Sequence, residues 1–189
     1  MSTIIRVWFS LVLACACCIL TKAQKRPIAG LNINSNLYSG AIRLSLGLTL
    51  ETHLSKHSGL ENGIFYRTEK YQGMVILTDS LGFSTYTFIV SQRFINVPLL
   101  YKYYSKTLNF SVGPLFDFYI GWKQRTPKSQ LLVNSFDVYP TLKVGLIGKV
   151  SKTFALSQKT ILEPEIRIGF LRTSNKFGAG VGITGKYQL

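Results

Sequence analysis

Two histidines, His53 and His57, stand four residues apart with Glu51 and Glu61 close by. On a helix that spacing sets two imidazoles on one face, the arrangement of a metal site or a general base. Here they fall in a turn, where the spacing has no such effect, and they read as solvated turn residues. A second set is Arg43, Arg67, Glu69, Asp117, Lys143, Glu163, Glu165 and Arg167, whose signs are mixed and whose neighbours alternate between apolar and polar. Side chains of this kind, brought together, either pair as ions or pass protons. A third set, Lys123, Arg125 and Lys128, opens a long polar segment and suits contact with phosphate groups.

The elements that must position these residues have a period of two. From Gly40 to Glu51, Ile42, Leu44, Leu46, Leu48 and Leu50 share one face while Arg43, Ser45, Gly47, Thr49 and Glu51 share the other, a strand alternation. From Leu108 to Lys123, Phe110, Val112, Phe116, Phe118, Ile120 and Trp122 oppose Asn109, Ser111, Asp117, Gly121 and Lys123. The pattern recurs through Ile95 to Tyr103, Phe136 to Leu146, Leu162 to Phe170 and Phe177 to Leu189. Weaker versions span Pro27 to Asn34 and Gly59 to Tyr71, making eight strands. Tight links are expected at Ser105–Lys106 and near Ser157–Lys159. Longer polar links are expected at Gln72 to Phe88 and Gln124 to Ser135, and short ones at Ser35 to Ser39 and Arg172 to Asn175. Prolines 98, 114, 140 and 164 fall inside these strands and are expected at bulges or early strand ends.

At 189 residues, 47% hydrophobic and 16% charged, the chain is too apolar for a disordered segment and suits one domain. Arg6, the apolar run from Val7 to Leu20 and the small residues Thr21 and Ala23 form a secretory signal over residues 1–23, leaving a barrel domain over 24–189. The run is shorter than the roughly 20 residues of a membrane-spanning helix. A lipoprotein signal ending at Cys15 fits less well, because apolar residues follow that cysteine. Cys15, Cys17 and Cys18 all leave with the signal, so neither a disulfide scaffold nor thiolate chemistry is expected. The 22 basic residues less Arg6 and Lys22 leave 20 against 8 acidic, a net of +12.

Alternation does not say which face points outward. A soluble barrel puts its apolar face inside, and a membrane barrel inverts the order. Inversion is favoured by strands that reach the roughly 9 to 11 residues a tilted strand needs to cross a bilayer. Aromatics also gather in two belts: Trp122, Phe136, Phe170 and Phe177 toward the long links, Tyr101, Tyr103 and Tyr187 toward the tight turns. Glycines concentrate on the polar face, as a narrow filled interior requires. The expected fold is therefore all-β, an eight-stranded antiparallel up-and-down transmembrane β-barrel. Its interior is expected to hold the mixed-charge set as paired ions, since eight strands leave little lumen for an ion path.

The segments RFINVPLLYKYY from Arg93, SVGPLFDFYIG from Ser111, NSFDVYPTLKVGLIG from Asn134 and LEPEIRIGF from Leu162 resemble the PorT-like porin family of small outer-membrane β-barrels. So does the glycine-alternating last strand. The likeness covers nearly all of the chain after the signal, and its motifs are strand patterns with no catalytic signature. It implies a Gram-negative outer membrane, folding by the barrel assembly machinery and, for some relatives, a part in protein secretion. The chain departs from the pattern by ending in Leu189 where such barrels often end in Phe, which predicts less efficient assembly.

The function expected is structural or interactive, through exposed loops, with links to secretion or envelope integrity. Outer-membrane lipid and lipopolysaccharide are the expected surroundings, the latter meeting Lys123, Arg125 and Lys128. Two alternatives stand beside it: a secreted soluble barrel binding an apolar ligand, and a lipid A-modifying enzyme. Such enzymes place a His-Ser type pair near the outer rim, whereas His53 and His57 fall at the tight-turn end. No catalytic residue, metal ligand or cofactor is assigned. Nucleic acid is excluded as a partner because the basic residues spread along strands and form no patch with stacking aromatics.

Overall fold

The computed structural model describes residues 27–38, 41–79, 82–124, 138, 140–171 and 176–189. The signal segment and its cysteines lie outside these. Nine strands follow one another: β1 (Ile28–Tyr38), β2 (Ala41–His53), β3 (Ser58–Asp79), β4 (Gly82–Tyr103), β5 (Asn109–Gln124), β6 (Leu142–Ser151), β7 (Phe154–Ala155), β8 (Thr160–Leu171) and β9 (Lys176–Gln188). Every pairing is antiparallel. The order runs β6-β5-β4-β3-β2-β1-β9-β8, and β6 pairs with β8 to close the ring. Eight long strands thus form an up-and-down barrel, while β7 is a two-residue ribbon on β8. Closure leaves the ring no open edge.

Within the barrel the alternating faces are sorted cleanly. Leu44, Leu46 and Leu48 are exposed while Arg43, Ser45, Gly47 and Thr49 are buried. The apolar face points outward and the charged face inward, the inverse of a soluble barrel and the order a bilayer requires. On β4 the outward row from Arg93 to Tyr103 matches the roughly 9 to 11 residues of a tilted crossing. The interior is narrow: a Cβ on Gly47 would meet the Phe65 ring at 2.4 Å and the Ile64 carbonyl oxygen at 2.5 Å. Leu100, Leu115, Ile147 and Leu171 form a small buried apolar cluster on one wall.

Turns at 54–57, 104–108 and 156–159 share one end of the barrel with both ends of the described chain. There the Leu189 amide donates to the Pro27 carbonyl at 3.1 Å. The tight turns are closed by Leu54 N–H and Leu156 N–H donating to the Ser58 and Thr160 carbonyls, each at 2.9 Å.

Several expectations change. The polar link from Gln72 to Phe88 is a strand hairpin, paired from Gln72↔Ile89 to Asp79↔Gly82. Along it the exposed Met74 and Ile76 alternate with the half-buried Gly73 and Val75, which pair with Phe88 and Tyr86, and its polar residues sit on strands that continue past the membrane. Ser35 to Tyr38 likewise belongs to β1. The strand begun at Phe136 starts only at Leu142, with Val138 and Pro140 outside it and Phe136 beyond the described residues. Pro98 and Pro114 do not end their strands. The β3–β4 ladder lapses between Asn62↔Leu99 and Phe65↔Asn96, and the β4–β5 ladder between Pro98↔Leu115 and Tyr101↔Val112, so both prolines sit beside local openings. Pro164 lies one residue past the point where β6 stops pairing with β8.

The largest departure is a bulge. Arg93 pairs with Gly121 but Phe94 pairs with Tyr119, so Ile120 is an extra residue and the register shifts. Gly121 takes φ 139°, a backbone region closed to most L side chains. Beyond it the faces of β5 exchange. Trp122 pairs with the inward Gln92 and leaves the outer aromatic belt, and Lys123 turns outward and is exposed. Strict alternation had set these two the other way.

Candidate functional site

Inward positions of seven of the eight long strands, all but β1, deliver the charged side chains to the interior. Among the described residues thirteen charged side chains are buried, seven basic and six acidic. All eight members of the mixed-charge set are among them. They divide between two clusters.

Toward the long-loop end, Arg43 meets Glu69 at 2.7 Å, and Arg67 meets Glu69 at 3.3 Å and also the fully buried Asp117. Phe94 lies across this cluster. The Arg67 guanidinium sits 4.5 Å and the Lys143 ammonium 4.8 Å from its ring centroid, and Tyr119 meets its edge at 5.7 Å. Stacking cations on an aromatic face supports them where water is scarce.

Toward the tight-turn end, three lysines interleave with four carboxylates. Lys102 Nζ donates to Glu163 at 2.6 and 2.9 Å and to Glu51 at 2.9 Å. Lys186 Nζ donates to Glu163 at 2.5 Å and to Glu51, and reaches Glu61 at 3.4 Å. Lys149 joins Glu61 to Glu165, the latter at 2.9 Å, and Arg167 pairs with Glu165. Neutral groups complete the shell: Ser151 Oγ donates to Glu163, Asn32 Nδ2 to Glu165 at 2.9 Å and Tyr104 OH to Glu51 at 2.8 Å. Burial, then the Glu51 charge, holds the Tyr104 phenol well above its ordinary range. Each ammonium has carboxylates on more than one side, which offsets the cost of removing it from water. The arrangement fills the interior with fixed charge pairs.

Sequence reasoning had not singled out Lys102, Lys149 and Lys186, and it set Glu51 and Glu61 beside the histidines. Their signal was parity alone, since each occupies the polar face of its strand. The histidines lie below the cluster. His53 stacks on Tyr104 at 4.5 Å with its Nε2 4.0 Å from Glu51, and His57 is exposed, its Nδ1 3.4 Å from the Tyr104 carbonyl oxygen. Among the described residues no three His, Cys, Asp or Glu side chains converge as metal ligands. Of the three loop cations, Lys123 is exposed at the end of β5, and Arg125 and Lys128 lie outside the described residues.

The other candidate is the β3–β4 hairpin. β2 accompanies β3 only as far as Arg67, and β5 accompanies β4 only as far as Val90. Beyond these points the ladder between β3 and β4 runs on past the rest of the described ring, to Asp79↔Gly82. Along the outward row of β3, Ile64 and Tyr66 are followed by Thr68, Lys70 and Gln72, and then by Met74 and Ile76, 65% and 61% exposed. Phe83 on β4 is 81% exposed. The polar break separates the apolar surface of the ring from a second exposed apolar patch toward the hairpin's far end.

No family model and no curated protein matches the chain. Among solved structures it is similar to Neisserial surface protein A, at 10% identity over 86% of this chain and 96% of that one, with a TM-score of 0.51. It is also similar to Ail, the attachment invasion locus protein of Yersinia pestis (8% identity, 87% and 97% covered, TM-score 0.49), and to the outer membrane protein OprG from Pseudomonas aeruginosa (12%, 89% and 98%, 0.47). At 10% identity the likeness to Neisserial surface protein A is one of fold, and it agrees with the closed ring and its inverted faces: the chain is an eight-stranded antiparallel transmembrane β-barrel.

Proposed function

We propose that this chain is an outer-membrane protein, exported behind a cleaved signal over residues 1–23 and folded by the barrel assembly machinery. In this reading it serves as a structural or interaction component and not as an enzyme. The neighbours named as surface and outer-membrane proteins support the location, and the resemblance to PorT-like porins supports a role in secretion or envelope integrity. The observation that carries the reading is the hairpin. A crossing needs roughly 9 to 11 residues, whereas β3 and β4 each run for 22, so about half of the hairpin stands outside the membrane. The filled interior directs function to that end, where the exposed apolar side chains Met74, Ile76 and Phe83 offer a partner contact area. Lys123 lies at the same end, and it and the basic residues Arg125 and Lys128 that follow it in the sequence suit lipopolysaccharide phosphates.

The test is topological. Removal of the signal leaves no native cysteine, so Ser84→Cys and Ser105→Cys can be read singly. Ser84→Cys is expected to react with a membrane-impermeant thiol reagent on intact cells, and Ser105→Cys only after the outer membrane is opened. Labelling of Ser105→Cys in intact cells would reverse the orientation and sink the hairpin's role.

A further inference from the structure

On the outer wall, near the tight turns, β4, β5, β6 and β8 do not form an even surface. Their outward rows there carry Tyr101 and Tyr103, Phe110, Val150 and Ile168, but at the centre stands Gly148. The missing side chain opens a groove of about 450 Å³ whose lining is almost wholly apolar. That volume falls in the range of small-molecule sites. A Cβ on Gly148 would meet only the Ser111 carbonyl oxygen, at 3.9 Å, so the backbone does not demand glycine and the trough is open space.

Two exposed cations follow the groove's lining strands toward the tight turns. Lys106 lies in the β4–β5 turn three residues past Tyr103, and Lys152 comes directly after the last residue of β6, two past Val150, with its ammonium 5.3 Å from the Phe154 ring centroid. The two segments are tied together, since Asn109 Nδ2 donates to Thr153 Oγ1 at 2.8 Å. No residue of 104–108 or 152–159 is acidic, because the nearby carboxylates are all turned into the barrel. An apolar trough at membrane depth below which two ammonium groups meet the interface matches one kind of molecule, a lipid with an anionic headgroup.

We infer that this groove is a binding site for one anionic phospholipid, with an acyl chain lying along Gly148 and the headgroup phosphate between Lys106 and Lys152. The inference rests on the outer-membrane reading above, which sets this face against the inner leaflet. A zwitterionic lipid has no net charge, and its own ammonium competes with the two lysines for its phosphate, so it gains less from them than an anionic lipid does. A second copy of the chain brings the same lysines, whose like charges oppose the contact.

The test is native mass spectrometry of the refolded barrel, released from detergent holding equal amounts of phosphatidylglycerol and phosphatidylcholine with matched chains. The wild type is expected to retain a single phosphatidylglycerol. Gly148→Leu, which fills the trough, and the pair Lys106→Glu and Lys152→Glu are each expected to reduce that retention by about tenfold or more. Gly185→Leu is the control, since its added side chain also points outward into open space, on β9, and it should retain lipid as the wild type does. Equal retention of both lipids, or equal retention by all variants, would mean annular lipid only and overturn the site. So would a wild-type dimer that Gly148→Leu dissolves without any lipid released. Each sample is also run unboiled and boiled on a gel. A folded barrel shows heat-dependent migration whatever lipid it holds, so loss of that shift strikes the membrane-barrel reading and its retention isolates the groove.

Discussion

Glu163 shows what a single interior side chain contributes. Its carboxylate takes hydrogen bonds from Lys102, Lys186 and Ser151, and its side chain is all but inaccessible to solvent. Glu163→Gln keeps the shape and removes the charge, so two buried ammonium groups lose their principal partner. The expected loss is about 3–5 kcal/mol, read as a lower urea midpoint for the unfolding of vesicle-inserted protein. Replacing the acid and both lysines together with apolar residues of similar size should recover much of that loss. The existence of such a set was legible in the sequence, because Glu163, Glu165 and Arg167 recur at every second position. Its pairing was not. Lys102 and Glu163 are 61 residues apart and Lys186 and Glu51 are 135 apart, and only closure of the ring decides which meet.

At the scale of elements, a strand's outward row records the depth of each residue. On β2, Leu48 pairs with Ile64 of β3 and Leu31 of β1 in the middle of the apolar band. Leu48→Arg is expected to cost roughly 2–4 kcal/mol, whereas Thr68→Arg, in the polar break above the band, is expected to cost about 0–1 kcal/mol. Unfolding from vesicles measures both. Equal costs would mean that the outward row does not cross a bilayer. All eight long strands were legible, β1 and β3 more weakly than the others, because lipid on one side and packed charge on the other enforce alternation. The upper hairpin was not, since water bathes both of its faces and nothing compels Met74 or Ile76 to be apolar for the fold. Nor was the bulge legible. One inserted residue at Ile120 leaves the alternation of letters intact while exchanging the faces of Trp122 and Lys123.

For the molecule as a whole, burial separates the charges by sign. Six of the eight acidic residues lie inside the barrel, where they meet seven basic ones, while Lys56, Lys70, Lys106, Lys123, Lys152 and Lys159 are exposed. Among the described residues the interior is thus nearly neutral and the basic excess lies outside it, which the composition alone could not say. Because the Leu189 amide reaches the Pro27 carbonyl beside the other tight turns, the point at which the polypeptide is cut is incidental to the ring. A circular permutant that joins 189 to 27 through a short glycine linker and opens at Lys106 keeps every strand pair, and is expected to refold with the same heat-dependent migration. The order in which strands leave the export channel would then differ while the barrel did not. A large change in its folding rate would show that assembly begins at one fixed pair of strands.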